Sequence, residues 1–138
     1  MTFEWLAGVG DLDWLAILVA TATAMVLGFL WYGPLFGKAW ALKAKVGSQT
    51  GTPGKMLLTG LYYLIFNAGL QYLGVASAAS DRIEHALVAG IVVGVLVAGP
   101  VLCAMVVWAR RHPLVFVIDL THWLVIAAVC TYLQGLII

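Results

Sequence analysis

Trp14 to Tyr32, WLAILVATATAMVLGFLWY, decides the fold class. It is apolar along its whole length and carries no charge, and a helix needs roughly 20 such residues to cross a bilayer. Three further stretches have the same character: 56–79, 86–108 and 114–138. Buried parallel strands also read as unbroken apolar runs, but only of about 4 to 8 residues. The spacing therefore predicts an all-α integral membrane bundle of four transmembrane helices, with spans at about 14–32, 56–79, 86–108 and 114–138.

The composition agrees. Of 138 residues 64% are apolar and 9% charged, against about 25% charged in an ordinary soluble domain. Too little polar surface is present to cover a water-soluble fold. A formal net charge of +1 excludes a nucleic-acid binder, which needs a basic patch. The length suits a single domain, 1–138. The residues ahead of the first span are acidic, so it reads as a retained span and not as a signal peptide. Cys103 and Cys130 fall in apolar runs at different depths, which predicts two buried, unpaired thiols.

The ends of the runs carry helix signals. Asp13 precedes the first, Thr52-Pro53 the second, Asp81-Arg82-Ile83-Glu84 the third as a variant capping box, and Pro113 the fourth. Trp5, Trp14, Trp31, Tyr32, Trp40 and Trp108 sit near span ends, as interfacial aromatics do. Lys38, Lys43, Lys45 and Lys55 lie between spans one and two, and Arg110 and Arg111 between three and four. Basic residues concentrate in cytoplasmic loops, so both termini are expected on the non-cytoplasmic side. From Gly33 to Val46 apolar residues alternate with lysines, which predicts a short amphipathic helix on the membrane surface. Gly47 to Gly54 reads as a connector.

Lipid tails are as apolar as leucine, so helices associate in a bilayer by close packing of small residues. Ala16, Ala20, Ala24 and Gly28 form one such stripe. Ala86, Gly90, Gly94 and Ala98 form a second, and Ala127, Thr131 and Gly135 a third. The first two face each other or a second copy of the chain. Pro100 predicts a kink in the third span.

Asp119 and His122 are three residues apart on the fourth span, hence on one helical face. A charged aspartate within a bilayer costs about 2.5–3.5 kcal/mol on insertion scales, so it must face the bundle, be paired or be protonated. Two readings stand side by side: interhelical hydrogen bonding that fixes packing, and an ion, proton or substrate site. Counted from the cytoplasmic end, Asn67 reaches nearly the depth of His122, while Tyr62 and Tyr63 reach that of Asp119. With Gln71, one turn from Asn67, they predict a polar cluster between spans two and four. No phosphate loop, Cys-x-x-Cys, GxSxG or HExxH pattern is present, and no catalytic residue, metal or cofactor is predicted. An acid three before a histidine is half of a helical metal site, which only an oligomer would complete.

Gly28 to Trp40, GFLWYGPLFGKAW, with Trp31, Tyr32, Gly33, Pro34, Phe36, Gly37, Lys38 and Trp40, resembles the signature of a bacterial membrane family designated domain of unknown function 1761. So does the Asp-x-x-His pair in IDLTHWL, here Asp119 and His122. The resemblance covers nearly the whole chain. It implies four spans in a bacterial inner membrane and supplies no activity. Physically the motif reads as an interfacial corner: Trp31 and Tyr32 anchor the helix end, Gly33 and Pro34 turn the chain, and Phe36 and Trp40 lie among headgroups with Lys38 toward the cytoplasm. The alternative is a binding lip over Asp119. Three functional expectations follow, in order. The first is a non-catalytic protein that acts by association, as a homo-oligomer or an accessory subunit of another membrane complex. The second is a small oligomeric transporter or channel with Asp119 and His122 as relay. The third is an intramembrane enzyme.

Overall fold

The computed structural model describes residues 10–46, 52–73 and 83–138. Trp5, most of the 47–54 connector, the start of the Asp81 capping box and the end of the second span near Ala79 lie outside these residues. Every regular element among the described residues is helical.

Helix α1 spans Trp14–Leu30. Asp13 starts it in an extended conformation, its carboxylate accepting the Ala16 N–H at 3.0 Å. The chain does not turn away at Gly33-Pro34, as an interfacial corner would. It continues through a wide π-helical turn, Trp31–Leu35, into α2, Gly37–Ala44, the short surface helix expected from the lysine pattern. Proline lacks an N–H and clashes with the carbonyl four residues back in a regular helix. The wide turn accommodates it, and Phe36 N–H reaches five residues back to Trp31 C=O at 2.9 Å. Lys45, left-handed at φ 56°, ends α2.

Helix α3, Pro53–Tyr72, begins with Thr52 accepting the Lys55 N–H at 3.3 Å. Helix α4, Ile83–Val92, runs through a second wide turn, Val93–Ala98, into α5, Gly99–Val107. That turn stands where Pro100 predicts a kink. Helix α6, Pro113–Ile137, opens with the His112 ring accepting the Leu114 N–H at 3.0 Å.

Among the described residues three helical rods, not four, are long and apolar enough to cross a membrane: Trp14–Leu35, Ile83–Val107 and Pro113–Ile137. Helix α3 has 20 residues but falls short in apolarity, because Tyr62, Tyr63, Asn67 and Gln71 interrupt its run. The chain is a membrane protein on the strength of the other three.

Helix α6 is the centre of the bundle. Val115, Ile126, Ala127, Cys130 and Gln134 along it are fully or almost fully buried. Ala16, Ala20 and Ala24 of α1 are fully buried, the last two in a core with Tyr63, Leu70, Ile126 and Cys130. The second stripe is buried against α6 as well. A Cβ on Gly90 would stand 2.8 Å from Ala128 Cβ, and one on Gly94 would overlap the Leu124 side chain. The two stripes therefore face α6 rather than each other. Helix α5 buries no residue. Cys103, expected to be buried, is exposed on it, while Cys130 is buried, and both thiols are free.

Candidate functional site

The aromatic motif closes onto one turn of α6. Asp119 Oδ1 accepts from the Tyr32 hydroxyl at 2.6 Å and from Trp40 Nε1–H at 2.9 Å. Trp31 Nε1–H donates to the Ile118 carbonyl at 3.1 Å. Phe36 packs on Trp31, ring centroids 4.9 Å apart. The wide turn makes this possible by carrying the chain past Tyr32 without leaving the bundle. Gly37 fits beneath it because a Cβ there would collide with the Tyr32 carbonyl. Tyr32 and Trp40 are thus held by Asp119.

One turn along α6, His122 Nε2 shares a hydrogen bond with the Tyr63 hydroxyl at 3.3 Å. Its other ring nitrogen, Nδ1, is buried with no partner among the described residues. The ring is only 3% exposed and sits among Trp31, Tyr32 and Trp123, centroids 6.0, 5.0 and 5.8 Å away. Gly28 approaches from α1: a Cβ there would stand 3.3 Å from the Tyr63 oxygen and 3.7 Å from His122 Nε2. Asp119 and His122 share a face but do not bond each other among the described residues.

Asn67 and Gln71 lie elsewhere. The Asn67 amide donates to the Tyr63 carbonyl at 2.9 Å and to Thr21 Oγ1 at 3.3 Å, and its oxygen accepts from Gln134 Nε2 at 3.0 Å. Gln71 grips the backbone of Asp13, accepting its N–H at 2.8 Å and donating to its C=O at 3.0 Å. Tyr62 is 60% exposed and meets the edge of Trp123. The predicted single cluster is therefore two, with Tyr63 between them, Gln71 tying off the far end of α3 and Tyr62 outside. The reason is register. Helix α3 begins at Pro53, as the Thr52-Pro53 signal indicated, almost a turn before the apolar run at Met56 from which depth is counted, so Tyr63 and not Asn67 comes level with His122. Thr21 of α1 receives the Asn67 bond.

A groove of about 880 Å³ opens beside the first cluster. The end of α1, the wide turn, α2 and the first turns of α3 form its walls, with Met25, Phe29 and Met56 among the apolar lining and Lys38 and Lys55 on facing elements. Tyr32, Trp40 and Tyr63 also line it. The depth shared by the motif and Asp119, which gave the binding-lip reading, was the one sequence signal for this groove. Among the described residues no three of His, Cys, Asp and Glu gather as a metal site would require.

The chain belongs to the family described as Protein of unknown function (DUF1761), whose profile matches residues 15–137. No curated protein and no solved structure matches it.

Proposed function

We propose that this member of the family is a membrane-embedded binding protein, which takes a small amphiphilic ligand into the groove between α1, α2 and α3. One observation carries the reading. Three side chains that line the groove, Tyr32, Trp40 and Tyr63, are the same ones that bond Asp119 and His122. Whatever enters meets groups coupled directly to both ionisable residues of the fourth span. Packing alone needs no cavity next to a costly buried carboxylate, whereas binding does. Transport, with Asp119 and His122 passing a proton, is the form this activity takes if the ligand crosses the bilayer.

The setting we infer is a bacterial inner membrane, with four crossings and both termini non-cytoplasmic. The six basic residues at the α2–α3 and α5–α6 ends support that orientation. Helix α3 supports the fourth crossing: its last turn holds Asp13 at the start of α1 through Gln71, so it runs the length of a helix that does span. Association with a second copy or another membrane protein is the second reading. It draws on the α4–α5 rod, of whose most apolar stretch only 11% is buried. The small-residue stripes no longer add to it, because α6 covers them.

The test is retention of ligand. The protein is extracted from its membrane in mild detergent and weighed intact by native mass spectrometry, beside Ala41→Trp, which fills the groove from α2 without touching the Asp119 or His122 bonds. The wild type is expected to keep a bound small molecule that Ala41→Trp loses while keeping its thermal midpoint. A wild type that carries nothing, or a variant that carries the same adduct, overturns the reading.

A further inference from the structure

We propose that the groove holds one anionic phospholipid from the adjacent leaflet, its phosphate between Lys38 and Lys55 and an acyl chain running inward toward Tyr63. This rests on the binding role proposed above and names the ligand class.

Charge is the first argument. Lys38 on α2 and Lys55 at the start of α3 line the same opening, both exposed. Neither has a partner among the described residues. Of the acidic residues among those described, Asp11 and Asp13 lie at the start of α1 and Glu84 at the start of α4, away from these lysines. Asp119 is occupied by Tyr32 and Trp40. The described residues therefore supply no counter-ion to this pair, and a headgroup phosphate does.

Shape is the second argument. Eight residues of helix separate Lys55 from Tyr63, about 12 Å of rise. Along that distance the groove passes from two cations, past Met25, Phe29 and Met56, to aromatic rings. Charge at the rim and apolar walls below match a lipid standing at its natural depth. A soluble phosphate has no use for such walls, and an uncharged lipid has none for the lysines. A volume of about 880 Å³ falls in the range of small-molecule sites.

The experiment uses full-length protein, stripped of lipid in neutral detergent and titrated with phosphatidylglycerol, with phosphatidylcholine of the same chains, or with glycerol phosphate. Native mass spectrometry counts bound equivalents, and tryptophan fluorescence follows the thermal midpoint. One equivalent of phosphatidylglycerol is expected to bind and raise the midpoint. Lys38→Ala/Lys55→Ala is expected to weaken it roughly thirtyfold, from about one lysine-phosphate attraction at each position. Lys43→Ala/Lys45→Ala, which removes the same charge outside the groove, and Lys38→Arg/Lys55→Arg are expected to bind as the wild type does. Equal affinity for phosphatidylcholine overturns the proposal. So does equal weakening by the Lys43/Lys45 variant, which marks general surface attraction, and so does glycerol phosphate binding as tightly as the lipid. If a neutral lipid occupies the groove and Ala41→Trp expels it, the binding role stands and its anionic ligand falls. If no lipid binds, the lipid proposal falls, and the binding role falls with it where the extracted wild type also carries no small molecule.

Discussion

Asn67 and Gln134 meet deep between α3 and α6, while Asp119 and His122 meet the aromatic motif three to four turns of α6 nearer the basic end. Both groups place polar atoms inside a membrane bundle, but by different means. The Asn67 group is made of neutral amides and hydroxyls, with Asn67, Thr131 and Gln134 wholly buried. The Asp119 group consists of ionisable side chains held by aromatic donors, and it backs onto a groove. Neutral interhelical bonds are ordinary adhesive in a bilayer. A carboxylate and an imidazole beside an opening are more expensive and do something adhesive does not need.

Three substitutions separate these roles, taken from the largest expected loss of stability to the smallest. Asn67→Leu removes the bonds to Thr21, Gln134 and the Tyr63 carbonyl together. It should cost about 2 kcal/mol of unfolding free energy in mixed micelles. A cost near zero would mean that the deep group is not adhesive, and the contrast would collapse. Tyr63→Phe tests the residue the two groups share. Its backbone carbonyl still accepts from Asn67, but His122 loses the hydroxyl at Nε2, and a loss of about 1 kcal/mol follows. A larger loss, matching Asn67→Leu, would tie His122 into the deep group. Asp119→Asn should change least, by less than about 0.5 kcal/mol or with a slight gain, since an amide oxygen accepts both donors and the buried charge is relieved. Tryptophan fluorescence melts would show it, and a loss of several degrees would make Asp119 a packing residue like Asn67.

The apolar runs at 14–32, 86–108 and 114–138 were legible because nothing interrupts them, and the structure carries helical rods through all three. Helix α3 was legible as a helix from Thr52-Pro53. Its membrane character was obscured by the same residues, Tyr63, Asn67 and Gln71, that join it to its neighbours. Asp119 and His122 stood out because ionisable groups within apolar runs are few. Their partners did not, because a depth count cannot resolve one helical turn and Tyr63 is one turn from Asn67. Gln71 was misplaced for another reason: its partner is the Asp13 backbone, and backbone groups have no signature in composition. Gly33-Pro34 signalled a change of path, but proline marks a chain reversal and a widened helical turn alike.

That widened turn also sets how much the chain length between two donors can vary. Between Trp31 and Phe36 one residue is taken up without advancing the spiral. Tyr32 and Trp40, eight apart in sequence, consequently come to one side of the chain, near the seven-residue repeat of a regular helix. Both reach the same oxygen for that reason. A family member that lacks Pro34 keeps both donors aligned through an ordinary helix. One with a residue inserted has them about 100° out of phase, and only one of the two then faces the aspartate. Loss of Pro34 should therefore be tolerated where an insertion is not.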